Sequence, residues 1–242
     1  MNTFFSLSNM DLNYEITLME KIIPIFILIA IIITLYLFRE KIRNNKLLDK
    51  NLRYYSAITS LIFLSLYYIL EWSNNGIKVF NLPLHICFIS NILCILLCFN
   101  KNKKIFNFVV FTGILGGISS LFSPALDLSF KYFRYYQFMI CHISIIIIPV
   151  YFMLIYKYTI NLKNVLKVIF TTEILGLSLG IFNEIYNTNY MFVSFTSNKA
   201  AKGSILSYIG DGYFYFINLQ ILFLISTLLL YFILKLSHKL IK

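Results

Sequence analysis

The sequence predicts an all-α polytopic membrane protein, a seven-transmembrane-helix bundle with its N-terminus outside and its C-terminus in the cytoplasm. Three observations predict it. The 242 residues are 59% hydrophobic and only 13% charged, too apolar for a domain whose helix backs face water. Seven apolar runs, each able to cross about 30 Å of hydrocarbon at about 1.5 Å per residue, follow one another with short connections. Lys and Arg gather in alternate connections.

The runs fall near 22–38, 54–70, 82–99, 105–122, 136–156, 165–182 and 213–234. Asp11, Glu15 and Glu20 precede the first, and Arg39, Lys41 and Arg43 follow it. That order reverses the basic n-region of a cleavable signal peptide, so the run reads as a retained helix. The connections after runs one, three, five and seven hold most of the 21 Lys and Arg. Arg39, Lys41, Arg43, Lys46, Lys50 and Arg53 all stand in the first of them, which places these connections in the cytoplasm. Glu71, Asp127, Glu184 and Asp211 fall on the other side. The expectation is one transmembrane domain over 1–242, multi-pass in the cell membrane.

The connection from 183 to 212 is the longest and external, with turn-forming Asn-Thr-Asn-Tyr and Gly-Asp-Gly. It reads as a lid or as a long loop. Gly113, Gly116 and Gly117, and Gly176 with Gly180, offer close-approach faces for helix packing in lipid. The absence of an internal repeat counts against inverted-repeat transporters.

A net charge of +11 invites a nucleic-acid reading, but these cations sit between apolar runs and form no basic stripe. Cys87, Cys94, Cys98 and Cys141 lie inside the runs, with neither a disulfide framework nor metal-ligand spacing. There is no nucleotide-binding loop. No cofactor and no metal are expected, and the expected partner is membrane lipid, with no nucleic acid.

Polar side chains at membrane depth are expensive and mark candidate sites: His85 and Asn91 on the third helix, His142 on the fifth and Glu173 on the sixth. His238 reads as a solvated end of the basic tail. Following Pro83 in a first helical turn, His85 is held neutral by the positive helix end and suits a general base. His142 then suits its acid or orienting partner, the pairing acyl transfer or hydrolysis requires. The plainer reading is that each imidazole bonds a neighbouring helix. Cys87, Asn91, Cys94 and Cys98 share one helical stripe, more typical of a packing face than of a reactive thiol. Arg134, with Tyr135, Tyr136 and Gln137, reads as an interfacial aromatic belt or as a rim binding a lipid headgroup.

Three segments together carry a likeness: Leu82-Pro83-Leu84-His85-Ile86-Cys87; Phe133-Arg134-Tyr135-Tyr136-Gln137-Phe138 running to His142 and Pro149-Val150-Tyr151; and Asn187-Thr188-Asn189-Tyr190-Met191. From about the second helix to the seventh, the chain resembles the YwaF-like bacterial membrane proteins, relatives of the transmembrane protein 164 family. The resemblance implies a seven-helix fold and, from eukaryotic members, a phospholipid acyltransferase using a Cys beside the helix 3 His and a second His on a later helix. His85 and His142 match those histidines. Leu84 stands where the Cys is expected, which leaves Cys87 as a displaced nucleophile, direct base catalysis by the histidines, or no enzyme.

The functional expectation is a membrane-embedded acyltransferase or lipid hydrolase acting on a lipid acyl ester near the outer leaflet. His85 and His142 form its acid/base pair; Glu173, Cys87, Asn189 and Gln137 support them, and Arg134 meets the headgroup. The alternative is a small transporter subunit or solute-binding membrane protein without catalysis.

Overall fold

A computed structural model describes residues 3–7, 14–200 and 204–241. Asp11 lies outside the described residues, and the side chain of His238 lies outside the described side chains. Eight α-helices are described: α1 (Leu18–Leu37), α2 (Arg39–Asn44), α3 (Lys46–Asn75), α4 (Ile86–Asn100), α5 (Lys103–Phe122), α6 (Phe133–Tyr156), α7 (Leu162–Tyr186) and α8 (Gly212–Ile241). No strand occurs among the described residues. Six of the helices, α1, α3 and α5 to α8, are long and apolar enough to cross a membrane.

Helix boundaries depart from the hydropathy pattern at two places. The basic stretch expected as a connection after the first run is helical. Asn45 caps Leu48 N–H through its side chain at 3.0 Å, and Asp49 pairs with Arg53 one turn on at 3.2 Å, so α3 runs thirty residues. The third run is shorter than its apolar content suggests: α4 begins at Ile86, and Pro83 and His85, expected inside its first turn, lie before it. Pro83 disfavours helical geometry in the residue ahead of it, and Leu82 is extended at φ −80°, ψ 154°.

Contacts divide the chain into two compact units, the first of residues 1–77 and 87–158, the second of residues 78–86 and 159–242. In the first unit α6 is the central element, with both its flanks packed and most of its side chains buried. Pro149 lacks an N–H, so the helix interior leaves the Ile145 carbonyl without its usual donor. At that carbonyl α5 packs closely: a Cβ on Gly113 would lie 2.5 Å from Ile145 O. One turn along, a Cβ on Gly117 would lie 2.5 Å from Ile146 Cγ1 and 2.9 Å from His142 O. Gly113 and Gly117 are therefore the close-packing face the sequence suggested. Gly116 faces Cys87 instead, at 3.2 Å from its Sγ.

Two arginines of the basic segment act as helix caps. Arg43 donates through Nε to Leu154 O at 3.1 Å, at the end of α6, and Arg53 donates to Cys98 O at the end of α4. A cation there satisfies carbonyls that have no intrahelical partner and complements the negative end of the helix dipole. Asp49 holds Arg53 in place and also accepts from Tyr151 Oη at 2.7 Å and Tyr156 Oη at 2.6 Å. At the opposite end of α1, Thr17 and Glu20 form a capping box. Glu20 also accepts from Phe130 N–H at 2.9 Å, fastening the connection before α6, and burial together with the Glu20 carboxylate pushes the Tyr14 phenol up to about 12.

In the second unit α7 packs against α8. Gly176 faces Gln220 of α8, its would-be Cβ 3.6 Å from Nε2, and Gly180 meets the following loop, 2.6 Å from Phe195 Cζ.

Candidate functional site

The second unit builds a polar site from the end of α7 and the short segment 78–86. The segment opens with a 3-10 turn, Val79–Asn81. Leu84 N–H then folds back on Leu82 O at 2.9 Å, and His85 follows in the bend before α4.

Asn183, wholly buried in the last turn of α7, organises the loop that meets this segment. Its Nδ2 donates to Tyr190 O at 2.9 Å and Val193 O at 2.8 Å. Its Oδ1 accepts from Thr188 Oγ1 at 2.8 Å and Tyr190 N–H at 2.9 Å. One side chain thus substitutes for backbone pairing across the loop. Within that loop Met191 and Phe192 stand at φ 55° and 57°, a region costing roughly 1–2 kcal/mol for each residue with a Cβ. The Asn183 bonds on either side hold them there.

The loop reaches segment 78–86 through Tyr190 and Met191. The Tyr190 hydroxyl donates to Val79 O at 2.7 Å and accepts from Leu82 N–H at 2.8 Å. Met191 N–H donates to Nδ1 of His85 at 3.3 Å, and the imidazole stands edge-on to the Tyr190 ring, centroids 5.2 Å apart. A cavity of about 330 Å³ opens here, lined by Phe80, His85, Asn187, Thr188, Asn189, Tyr190 and Lys199. Asn189 Nδ2 donates to Lys199 O at 2.8 Å, tying the far wall of the cavity to the loop. His85 and Asn189 are therefore brought to one cavity, as neighbouring wall residues, while Glu173 sits within α7, half-buried.

The first unit holds the other expected residues around the start of α6. His142 is buried at 8% exposure, with Nδ1 2.7 Å from Phe138 O and its ring 4.1 Å from the Phe138 ring centroid. Arg134 lies 4.3 Å over the Tyr67 ring and donates to Gln137 Oε1. Gln137 Nε2 donates to Cys141 Sγ at 3.4 Å, and Asn91 Nδ2 donates to Cys141 O at 3.1 Å. A polar ladder thus climbs from Arg134 through Gln137 to Cys141 and Asn91. Cys87 stands apart from it, half-buried against α5 with Ser120 Oγ 4.0 Å from its Sγ. Asn91, Cys94 and Cys98 are buried, as a packing stripe requires.

The two Nδ1 atoms have opposite partners, and this fixes complementary tautomers. A carbonyl oxygen only accepts, so His142 Nδ1 carries hydrogen and, in the neutral ring, Nε2 carries the lone pair. A backbone N–H only donates, so His85 Nδ1 carries the lone pair and Nε2 carries hydrogen. His142 has the protonation of a base and His85 that of a hydrogen-bond donor. Among the described residues no group of three or more His, Cys, Asp or Glu is gathered to hold a metal ion.

Sequence reasoning did not single out Asn183, the Tyr190 hydroxyl or Lys199. Asn and Tyr are too frequent in this chain for any one of them to stand out, and Lys199 had only the signal of being a cation on the side poor in cations.

A family model described as the TMEM164 family matches residues 5–231. No curated protein and no solved structure matches the chain.

Proposed function

The chain belongs to the TMEM164 family, and on that premise we propose that it is a membrane-embedded acyltransferase or hydrolase acting on lipid acyl esters. The observation that carries the reading is the complementary state of the two imidazoles, set by Phe138 O on His142 and by Met191 N–H on His85. In the first unit, His142 Nε2 suits taking the proton of an acceptor hydroxyl, from water or a second lipid, as its oxygen bonds the ester carbon, and returning it to the departing alkoxide as the ester C–O bond breaks. In the second, His85 Nε2–H suits donation to the oxyanion that the carbonyl oxygen becomes in between. With Leu84 ahead of His85 and Cys87 packed against α5, direct attack by the acceptor needs no thioester.

In this reading the fold has seven spans, α4 being the seventh, with the N-terminus outside and the C-terminus in the cytoplasm of a cell membrane. Fifteen residues of helix extend about 22 Å, and residues 82–85 continue the crossing as non-helical chain. The clustering of Lys and Arg in alternate connections supports an odd number of spans.

The experiment that tests the assignment compares glutamine variants of the two histidines for lipid turnover. Gln presents an N–H donor but takes no proton. His85→Gln is expected to retain part of the activity and His142→Gln to lose it, by about 100-fold or more. Equal loss from both would overturn the division of roles.

A second reading, solute binding or transport without catalysis, is favoured by one feature of α7 and α8. Thr172 Oγ1 and Thr227 Oγ1 are buried without a hydrogen-bond partner among the described residues, and Glu173 adjoins Thr172. Buried hydroxyls left unpaired on two helices that pack together suit a passing ion or solute. Solute uptake into proteoliposomes separates the readings: uptake that Glu173→Gln abolishes favours the carrier, and ester turnover by the wild type without uptake favours the enzyme.

A further inference from the structure

We propose that the end of the first unit where α3 and α5 begin is a seat for anionic lipid headgroups, held as part of the surrounding bilayer and not as substrate, with Lys50, Lys101, Lys103 and Lys104 as its cations. It stands apart from the ester chemistry above and from the cavity beside His85. Residues 39–53 and 101–104 hold nine Lys and Arg against two carboxylates, Glu40 and Asp49, and both carboxylates are committed. Glu40 pairs with Arg43. Asp49 accepts from Tyr151 Oη at 2.7 Å and Tyr156 Oη at 2.6 Å and pairs with Arg53 at 3.2 Å, while Lys101 Nζ stands 3.9 Å away. Arg43 and Arg53 are themselves engaged, on Leu154 O and Cys98 O. The Arg53 bond and the Lys101 approach to Asp49 bring the two basic stretches to one end of the unit.

The remaining ammonium groups are positioned by aromatic faces. Lys50 Nζ stands 5.4 Å over the Tyr54 ring, Lys101 Nζ 4.9 Å over Tyr156 and Lys103 Nζ 5.7 Å over Tyr158. The Tyr156 and Tyr158 rings are neighbours, centroids 5.8 Å apart, so Lys101 and Lys103 stand on adjoining rings. Such contacts steady a long side chain while its head keeps donors for an incoming oxyanion. No carboxylate lies within 4 Å of Lys50, Lys103 or Lys104 among the described residues, and all three side chains are exposed. α5 opens on Lys103 and Lys104 with no acidic residue in its first turn, the reverse of what the positive end of a helix favours. Lysines and helix end together leave a positive field that an anion offsets. Because α3 and α5 are long and apolar enough to cross a membrane, their first turns meet the headgroup layer, the depth that tyrosine rings favour. Phosphatidylcholine carries its own cation beside its phosphate. A headgroup such as phosphatidylglycerol carries none, and its net charge is what this belt complements.

The test is calorimetric binding to the full chain in dodecylmaltoside micelles, with empty micelles subtracted and with dihexanoylphosphatidylglycerol, dihexanoylphosphatidylcholine and glycerol 3-phosphate as separate probes. The wild type is expected to bind phosphatidylglycerol about tenfold or more tighter than phosphatidylcholine. Lys50→Gln, Lys103→Gln and Lys104→Gln should each weaken phosphatidylglycerol about fivefold and leave phosphatidylcholine unchanged, and the corresponding Arg variants should keep the preference. Lys131→Gln, which removes the same charge ahead of α6 at the other end of α5, should leave both lipids unchanged. The substituted side chains are exposed, so melting temperatures should stay close to the wild type. A wild type without preference, a preference that survives all three glutamine substitutions, or an equal loss from Lys131→Gln would overturn the seat. Glycerol 3-phosphate bound as tightly as phosphatidylglycerol through the same lysines would overturn the lipid assignment, the ligand then being a soluble phosphate ester.

Discussion

Met191 donates its backbone N–H to Nδ1 of His85 across 106 positions of sequence, at 3.3 Å. The bond depends on Met191 holding a left-handed backbone at φ 55°, and that conformation depends on Asn183. The state of a candidate catalytic imidazole is in this way set by an amide that touches neither the imidazole nor the cavity.

Asn183→Ala is expected to lower stability by about 2–4 kcal/mol, since a net hydrogen bond is worth about 1 kcal/mol and buried partners left unpaired cost more. Asn183→Asp should be as damaging, because a carboxylate has no donor for Tyr190 O and Val193 O. Thermal unfolding in detergent reads both, and a fully stable aspartate variant would contradict the assigned hydrogen bonds.

Tyr190→Phe removes the hydroxyl joining Val79 O to Leu82 N–H and keeps the ring. The expected cost is about 1–2 kcal/mol, confined to segment 78–86. Hydrogen exchange should quicken at Leu82 and Leu84 and stay unchanged in α6; uniform quickening would mean global destabilisation instead.

The close approach of α5 to α6 predicts an order among glycines. Gly113→Ala places a methyl 2.5 Å from the Ile145 carbonyl, which is backbone and cannot turn aside, whereas Gly116→Ala meets only Cys87 Sγ at 3.2 Å. Overpacking of the first kind costs about 1–3 kcal/mol, and the second should be near neutral. Melting temperatures in the reverse order would contradict the packing.

Asp49→Asn is expected to destabilise the first unit by about 2–4 kcal/mol, because it strands Arg53, 5% exposed, without its counter-charge. Arg53→Met in the Asp49→Asn background should recover part of that loss by removing the stranded charge. A double variant less stable than Asp49→Asn alone would place the value of Arg53 in its cap on Cys98 O.

Much of the helical architecture was legible from hydropathy, since a bilayer demands long apolar runs and α1, α3 and α5 to α8 supply them. Gly113 and Gly117 were legible as packing residues for the same reason: only small side chains let backbones approach. The helical state of 46–53 was hidden because capping by Asn45 and pairing of Asp49 with Arg53 are local signals inside a segment whose charge reads as topology. The start of α4 was hidden because Pro83 suits a first helical turn as well as an extended lead-in, and contacts with Tyr190 and Met191, more than 100 residues away, decide between them. For the candidate site, histidines stood out as polar residues in apolar runs. Their tautomers did not, because Phe138 O and Met191 N–H are backbone groups that no residue pattern encodes.

The measurement that tests the central claim most directly is turnover of a phospholipid acyl ester by the purified chain in nanodiscs, with released and transferred acyl groups quantified for the wild type, His85→Ala and His142→Ala. The account predicts turnover by the wild type and a loss of about 100-fold or more in each variant, with melting temperatures close to the wild type. Wild-type turnover that survives both substitutions, or a folded wild type without any turnover, would contradict it.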